Sequence, residues 1–383
     1  MSRPLLIILL TILVNLIGFG IIIPLLPFYA TTFGASPLVV GLLFASFSLA
    51  QFVAAPILGD LSDRWGRRPV LVFSLLGTVL SFTLLALAHS LTLLFIARIV
   101  DGLSGGNITA ARAYIADVTP PEDRAKRYGL IGAAFGLGFI LGPALGGALS
   151  HISYTAPIWA AVALSAIAAV LAYAWLPAPA RHAADAGAPP WWRTLPELIA
   201  RPGLGSLLLV DFLYWSTFAV YQTTFALYGQ RRFGWDATHI GYILASFGLL
   251  GVVIQTHVVG PVTRALGDRR TLVVGLGCAT TGLAVGSLAG SIPVFVLGLV
   301  PTALGMGLCN PTLTALISRS VGPAEQGLVQ GAAGALESLG RTGGPIWGNV
   351  VLEHYGEGTT YGAAAVAFAA TLVLAAGSRP TER

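Results

Sequence analysis

The sequence predicts an all-α integral membrane protein with twelve transmembrane helices in two pseudo-symmetric six-helix bundles. Composition, the recurrence of long apolar runs and an internal repeat carry that prediction. Of the 383 residues, 55% are hydrophobic and only 10% are charged, whereas a soluble domain carries about 25% charged residues. Mean hydropathy is +0.81. These values exclude a soluble enzyme, a nucleic-acid binder and a disordered chain. Two cysteines, Cys278 and Cys309, both lie in apolar runs. They cannot build a disulfide framework or a four-thiolate metal site, and no metal or other cofactor is expected.

An apolar run of about 20 residues crosses a bilayer as a helix. Such runs read as spans at 5–29, 38–58, 69–88, 92–116, 128–149, 155–176, 204–229, 237–259, 271–289, 292–317, 326–352 and 359–377. The first run follows a short basic start, as a signal peptide does. No small-residue cleavage site follows it, so a retained helix is expected. Connections are short except for 177–203, which carries Pro177, Pro179, Arg181, Pro189, Pro190, Arg193 and Pro196. This stretch reads as a cytoplasmic linker between an N-terminal bundle, 1–176, and a C-terminal bundle, 204–383.

Basic residues fix the orientation, because cytoplasmic loops are enriched in Lys and Arg. With the N-terminus inside, sixteen of the 21 Lys and Arg fall on inside segments and only Arg231 and Arg232 outside. Arg98, Arg112 and Arg341 lie within spans. Both termini are therefore expected in the cytoplasm, and the sequence pI near 9.4 is a topology signal. The lipid bilayer is the expected partner; nucleic acid is not.

The second half echoes the first at an offset of about 200. Phe33-Gly34 matches Phe233-Gly234, and Gly41, Ala45, Ser46, Phe47 match Gly241, Ala245, Ser246, Phe247. Gly59 and Gly66 match Gly260 and Gly267. Gly102, Asn107 and Thr109 match Gly305, Asn310 and Thr312, while Gly138, Gly142-Pro143 and Gly146 match Gly340, Gly344-Pro345 and Gly348. Four runs in register argue for homologous halves. Parallel repeats with a site between them near the midplane suit alternating access, although a duplication could also build a rigid scaffold.

Ionisable groups inside spans are costly and mark function by default. Span four carries Arg98 and Asp101 on one face, with Arg112 on the same stripe. Span eleven carries Glu337 and Arg341, four apart. Asp211 in span seven has no basic residue at helical spacing. A nearby opposite charge favours the ionised form of a carboxyl, so Asp101 and Glu337 are expected to stay ionised and Asp211 to exchange a proton. Alternatively, Arg98 or Arg341 reaches Asp211 across the interface in one of the two states, which would itself make a switch. Asp211, Tyr214, Trp215, Phe218, Gln222 and Phe225 share one stripe of span seven. The stripe reads as a cavity wall with aromatic faces suited to a flat or cationic ligand, against the plainer alternative of core packing. Weaker cavity candidates are Asn15, Phe47, Gln51, Asn107, Phe139, Gln255 and Asn310.

The loop Gly59-Asp60-Leu61-Ser62-Asp63-Arg64-Trp65-Gly66-Arg67-Arg68 resembles the signature loop of the major facilitator superfamily. The resemblance implies that Asp63 sits at the N-terminus of span eleven, where the helix dipole favours a carboxylate. It also implies that Arg67 pairs with Asp117 to hold the cytoplasmic side shut. The plainer alternative is that Arg64, Arg67 and Arg68 only anchor topology. Span five, Gly138-Phe139-Ile140-Leu141-Gly142-Pro143-Ala144-Leu145-Gly146-Gly147, resembles the motif of the superfamily's antiporter branch. Its glycines form a smooth stripe and Pro143 bends the helix, as Pro345 beside Gly344 would in the second half. Span one, from Asn15 to Gly20, resembles the first helix of drug:proton antiporters, which usually have Asp where Asn15 stands. Asn cannot carry a proton.

Arg232 to Gly241, and Ser318-Arg319 onward through Gln326 to Gly331, resemble tetracycline efflux proteins. Those pumps place an acid in span nine, and Gly275 to Gly282 holds none. The resemblance implies a monomeric proton-coupled exporter of small hydrophobic or cationic drug-like molecules in a bacterial inner membrane, driven by the proton gradient. The alternative transporter is a proton-coupled or facilitative uptake carrier for a small metabolite. No His-Glu-x-x-His or Gly-x-Ser-x-Gly run supports a membrane-embedded enzyme.

Overall fold

Twenty-residue apolar stretches can satisfy their backbone inside a bilayer only as helices or closed barrels, and here they are helices. The computed structural model describes residues 3–105, 114, 124–177, 191–322 and 325–377. No strand occurs among the described residues. The chain divides into two compact units, Met1–Ala186 with Gly234–Gly248, and Gly187–Phe233 with Leu249–Arg383.

The first unit contains α1 (Arg3–Thr31), α2 (Pro37–Trp65), α3 (Arg67–Ala86), α4 (Leu91–Leu103), α5 (Arg124–Ser150) and α6 (Ala156–Trp175). It also contains the residues up to Gly248 of α9 (Ala237–Val253). The second unit holds α7 (Trp191–Ala200), α8 (Leu204–Phe233), the remainder of α9, a π-helical segment at Ile254–Val258 and α10 (Val259–Leu266). It continues with α11 (Asp268–Leu288), α12 (Ile292–Arg319) and α13 (Gln326–Gly377). Among the described residues, ten helices are long and apolar enough to cross a membrane. One of them, α13, runs 52 residues but breaks at Gly356, whose φ of 82° is not helical. The break falls between the expected spans eleven and twelve. Of the expected span four, only Leu91–Leu103 is described as helix before the segment that includes Asn107 and Arg112.

Helix starts follow local chemistry. The Ser36 and Ser90 hydroxyls accept hydrogen bonds from the Val39 and Leu93 N–H groups, at 3.5 and 3.4 Å, meeting donors that a helix start leaves unpaired. Gly66 and Gly267 take positive φ, 98° and 77°, a conformation that favours glycine. Both separate one helix from the next.

Packing inside each unit rests on small residues. A Cβ on Gly142 of α5 would lie 2.7 Å from Gly20 Cα of α1, and one on Gly138 would lie 2.4 Å from Leu16 Cβ. In the second unit, a Cβ on Gly344 of α13 would lie 2.2 Å from the Ser216 carbonyl of α8. Such contacts let backbones approach closely where lipid supplies no hydrophobic drive between helices. Some buried hydroxyls are satisfied locally: those of Thr11, Thr78 and Thr312 donate to carbonyls four residues back.

Candidate transport site

In the first unit, the i to i+3 spacing on α4 brings Arg98 and Asp101 together. Arg98 Nη1 donates to Asp101 Oδ2 at 2.7 Å. Arg98 is 1% exposed and Asp101 8%. The Arg98 guanidinium carbon also sits 4.3 Å from the Phe47 ring centroid, while its Nε and Nη2 have no hydrogen-bond partner. Phe47 packs on Phe19, with centroids 5.9 Å apart, and Phe19 meets Phe139 edge-on at 6.2 Å. Gln51 Nε2 donates to the Gly105 carbonyl at 3.4 Å. Asn15, Phe47, Gln51 and Phe139 are half-buried. Asn107, Arg112 and Asp117 lie outside the described residues.

In the second unit, Asp211 is 4% exposed, and its Oδ2 has no hydrogen-bond partner. No base lies at helical spacing on α8, yet Arg341 of α13 acts on Asp211 electrostatically, as does Glu337. Arg341 belongs to the same unit as Asp211, so this influence does not require an arginine reaching across the interface. Arg341 stacks 5.0 Å over the Trp215 ring, and its Nη2 donates to Ser338 Oγ at 3.4 Å. Tyr214 donates through its hydroxyl to the Met306 carbonyl at 3.3 Å and stacks on Phe218.

The α8 stripe is not uniform. Asp211, Tyr214 and Phe225 are buried, whereas Trp215, Phe218 and Gln222 are half-buried. Phe225 packs among Tyr221 and Phe295. Gln255, within the π segment, and Asn310 line a recess of about 260 Å³ with Val259 and Pro311. Among the described residues, the structure thus gathers a buried pair, Arg98 with Asp101, and a group in which buried Asp211 feels the half-buried Glu337 and Arg341.

In the signature loop, Arg64 Nε donates to Asp60 Oδ1 at 3.0 Å and Arg67 Nη1 to Ser62 Oγ at 3.2 Å. The Asp63 side chain lies outside the described set. Gly59 has open space where a Cβ would stand, so close packing does not require glycine there. Gly146 and Pro143 extend the α1–α5 contact, because a Cβ on Gly146 would lie 3.2 Å from the Ile21 carbonyl and one on Gly20 3.0 Å from Pro143 Cδ. Pro345 accepts through its carbonyl from Asn349 Nδ2 at 2.8 Å.

Sequence reading missed Phe19, the Trp347 indole that donates to Ser216 Oγ at 3.1 Å, and the Asp268–Arg319 ion pair. Phe19 is one more apolar residue in an apolar run, and no spacing rule singles it out. The repeat could have found the ion pair, since Asp268 follows Gly267 as Arg67 follows Gly66.

Comparison with known proteins agrees with this architecture. The family model described as Major Facilitator Superfamily matches residues 8–345 and, in a second overlapping match, 207–383. Tetracycline resistance protein, class C, of Escherichia coli is 34% identical over 361 residues, covering 90% of this chain and 88% of that protein. Multidrug resistance protein 2 of Bacillus subtilis (strain 168) is 29% identical over 357 residues, covering 90% and 88%. Among solved structures, the human organic anion transporter MFSD10 (TETRAN) superposes with a TM-score of 0.74 at 25% identity, covering 97% of this chain and 99% of that one. With helices throughout, small-residue packing in both units and a family match along nearly its whole length, the chain belongs to the Major Facilitator Superfamily.

Proposed function

We propose that the chain is a proton-driven exporter of small amphipathic, drug-like molecules, hydrophobic or cationic, of the multidrug or tetracycline type. Twelve spans in two bundles, 1–176 and 204–383, would place both termini in the cytoplasm of a bacterium and the linker 177–203 on the same side. The positive-inside bias supports that orientation. The relatives that match along most of the chain carry names of drug-resistance proteins, which supports export of such molecules.

The observation that carries the reading is Asp211, buried, with one carboxylate oxygen unpaired and Glu337 and Arg341 within electrostatic reach. A buried carboxylate without full pairing is costly, and a proton or a substrate cation can relieve that cost. In alternating access, substrate binds from the cytoplasm, the bundles rock, and a proton entering from outside onto Asp211, or onto its pair with Glu337, releases it. Competition for the same carboxylates couples the two fluxes. Each elementary charge moved inward releases ~2.3 kcal/mol per 100 mV. The Arg98–Asp101 pair in the first unit is a second candidate for proton coupling.

The test is transport in proteoliposomes under an imposed pH gradient, using hydrophobic cations, tetracycline-like molecules and sugars. We expect uphill movement of the first or second class and none of sugars. Asp211→Asn should lower gradient-driven transport about a hundredfold or more, the scale of losing a proton-transfer group. Export by Asp211→Asn with unchanged pH dependence would overturn the assignment.

A further inference from the structure

The two glycine turns that separate helices in the two units, Gly66 and Gly267, are followed by residues of opposite sign, Arg67 and Asp268. The next position is basic in both, and there the two units do the same thing. Arg68 donates to the Tyr173 carbonyl near the end of α6 and Arg269 to the Ala376 carbonyl near the end of α13. The static tie of the turn is thus common to both units, whereas Asp268 has a different partner. Arg319 Nη1, in the last turn of α12, lies 2.5 Å from Asp268 Oδ2. Asp268 is only 8% exposed, and Arg319 is 75% exposed. Each charge suits its helix end, an acid at the start of α11 and a base at the end of α12.

This pair belongs to a wider set of ties at the same end of the unit. Arg201, just before α8, pairs with Glu325 at 2.9 Å. Ser318 Oγ donates to Gln326 Oε1 at 3.0 Å, and Gln326 Nε2 donates to the Ser318 carbonyl at 2.5 Å. Through Arg201, Glu325, Gln326, Ser318, Arg319 and Asp268, a polar belt runs from the start of α8 past the start of α13 and the end of α12 to the start of α11. The belt lies on the side that the positive-inside bias assigns to the cytoplasm. By contrast, α10 (Val259–Leu266) carries no buried residue among those described, and it follows the π segment, a local irregularity in helical hydrogen bonding.

We infer that Asp268 and Arg319 are a positioning pair of the transport cycle, a charge clamp that makes the cytoplasmic ends of α11 and α12 move as one piece. The clamp acts on the rate at which the second unit changes state and leaves substrate affinity alone, because neither residue belongs to the group of Asp211, Glu337 and Arg341. Because the Asp268 side chain is largely buried, removing its partner can also cost stability, so turnover is read at equal amounts of folded protein.

The inference rests on the transport reading, and one experiment separates the two. Wild-type protein and the variants Asp268→Asn, Arg319→Gln and the exchanged pair Asp268→Arg with Arg319→Asp are compared in proteoliposomes, at equal amounts of folded protein. Each single variant should lower the maximal rate about fivefold with half-saturation unchanged within about twofold, the pattern of a change that affects turnover and not substrate binding. The exchanged pair should recover at least about half the wild-type rate, a coupling that independent sites do not show. Asp268→Glu should stay near wild type. If the wild type moves no substrate of the panel, the transport reading fails. The clamp fails if the wild type transports and the single variants match it, or if the exchanged pair is no better than either.

Discussion

Arg98 is the largest polar side chain among the most fully buried ones, and its neighbours show how one residue's environment is built. Asp101 neutralises it through one nitrogen, and the Phe47 face covers it. Removing one partner of a buried pair leaves an uncompensated charge and costs about 3–5 kcal/mol. Asp101→Asn should therefore lower the thermal unfolding midpoint in detergent more than the double replacement of Arg98 and Asp101 by Leu, which removes both charges. Equal or reversed losses would mean that the pair is not electrostatically linked. Half of this environment was legible in sequence, because three-residue spacing on a helix puts two side chains on one face. The Phe47 contact was not, since it comes from another helix, and the Arg341–Trp215 stack was hidden for the same reason. A second residue, Asp236, sits outside the spans. Burial raises its carboxyl, but the His239 N–H and ring, with help from the Thr238 N–H, outweigh that and hold it below the ordinary carboxylate value. Its Oδ1 accepts from the His239 N–H at 2.9 Å, capping α9. A lowered value stabilises the fold above the unfolded carboxyl's titration near ~4 and loses that contribution as pH falls through the folded value. Asp236→Ala should cost about 0.5–1 kcal/mol as a lost N-cap, by a constant amount from neutral pH downward until it shrinks below about pH 4.

At the scale of whole helices, backbone proximity decides function, and glycine decides proximity. A methyl group on Gly344 would collide with the Ser216 carbonyl of α8, whereas one on Gly132 of α5 would meet nothing within 4 Å. Gly344→Ala must push α13 from α8 or fail to insert, and such overpacking costs about 1–3 kcal/mol. It should reduce both folded yield and transport, while Gly132→Ala behaves as wild type. A Gly344→Ala protein with normal transport would show that the α8–α13 seam tolerates separation. The sequence made these helices legible because lipid demands long unbroken apolar runs. The Gly138, Gly142 and Gly146 stripe was legible too, and α1 is the helix that meets it. The partner could not be read, since spacing describes one helix and packing involves two. The π segment at Ile254–Val258 was also invisible. An extra residue in a turn depends on what the neighbouring helices require, and the polar run Gln255-Thr256-His257 does not by itself specify it.

The duplication organises the whole chain, and it extends to single hydrogen bonds. Tyr29 donates to the Ala88 carbonyl at 2.9 Å and Tyr228 to that of Gly286 at 2.7 Å, about 200 residues apart. Equivalent bonds join Arg68 to Tyr173 and Arg269 to Ala376. Among the described residues, the halves differ in their charges within spans: Arg98 with Asp101 in the first unit, and Asp211 with the half-buried Glu337 and Arg341 in the second. The first group balances to zero. Among the described residues acting on Asp211, the second has one further acid and one base, and under the proposed function it takes up one positive charge, supplied by either a proton or a cationic substrate. Under the proposed exchange this sets the electrical character of transport. One proton moved inward against one cation moved outward transfers no net charge, so a pH gradient drives it and a membrane potential does not. One proton exchanged for a neutral molecule moves one charge, and 100 mV then supports roughly 50-fold accumulation, from ~2.3 kcal/mol at 1.4 kcal/mol per decade. Proteoliposomes clamped with a potassium gradient and an ionophore distinguish these cases. Steady-state accumulation of a hydrophobic cation should ignore the potential, and accumulation of a neutral drug should follow it. A cation whose export responds to potential as steeply as the neutral drug's would mean that more than one proton is exchanged. A single charge taken up at the Asp211 group could not then account for coupling.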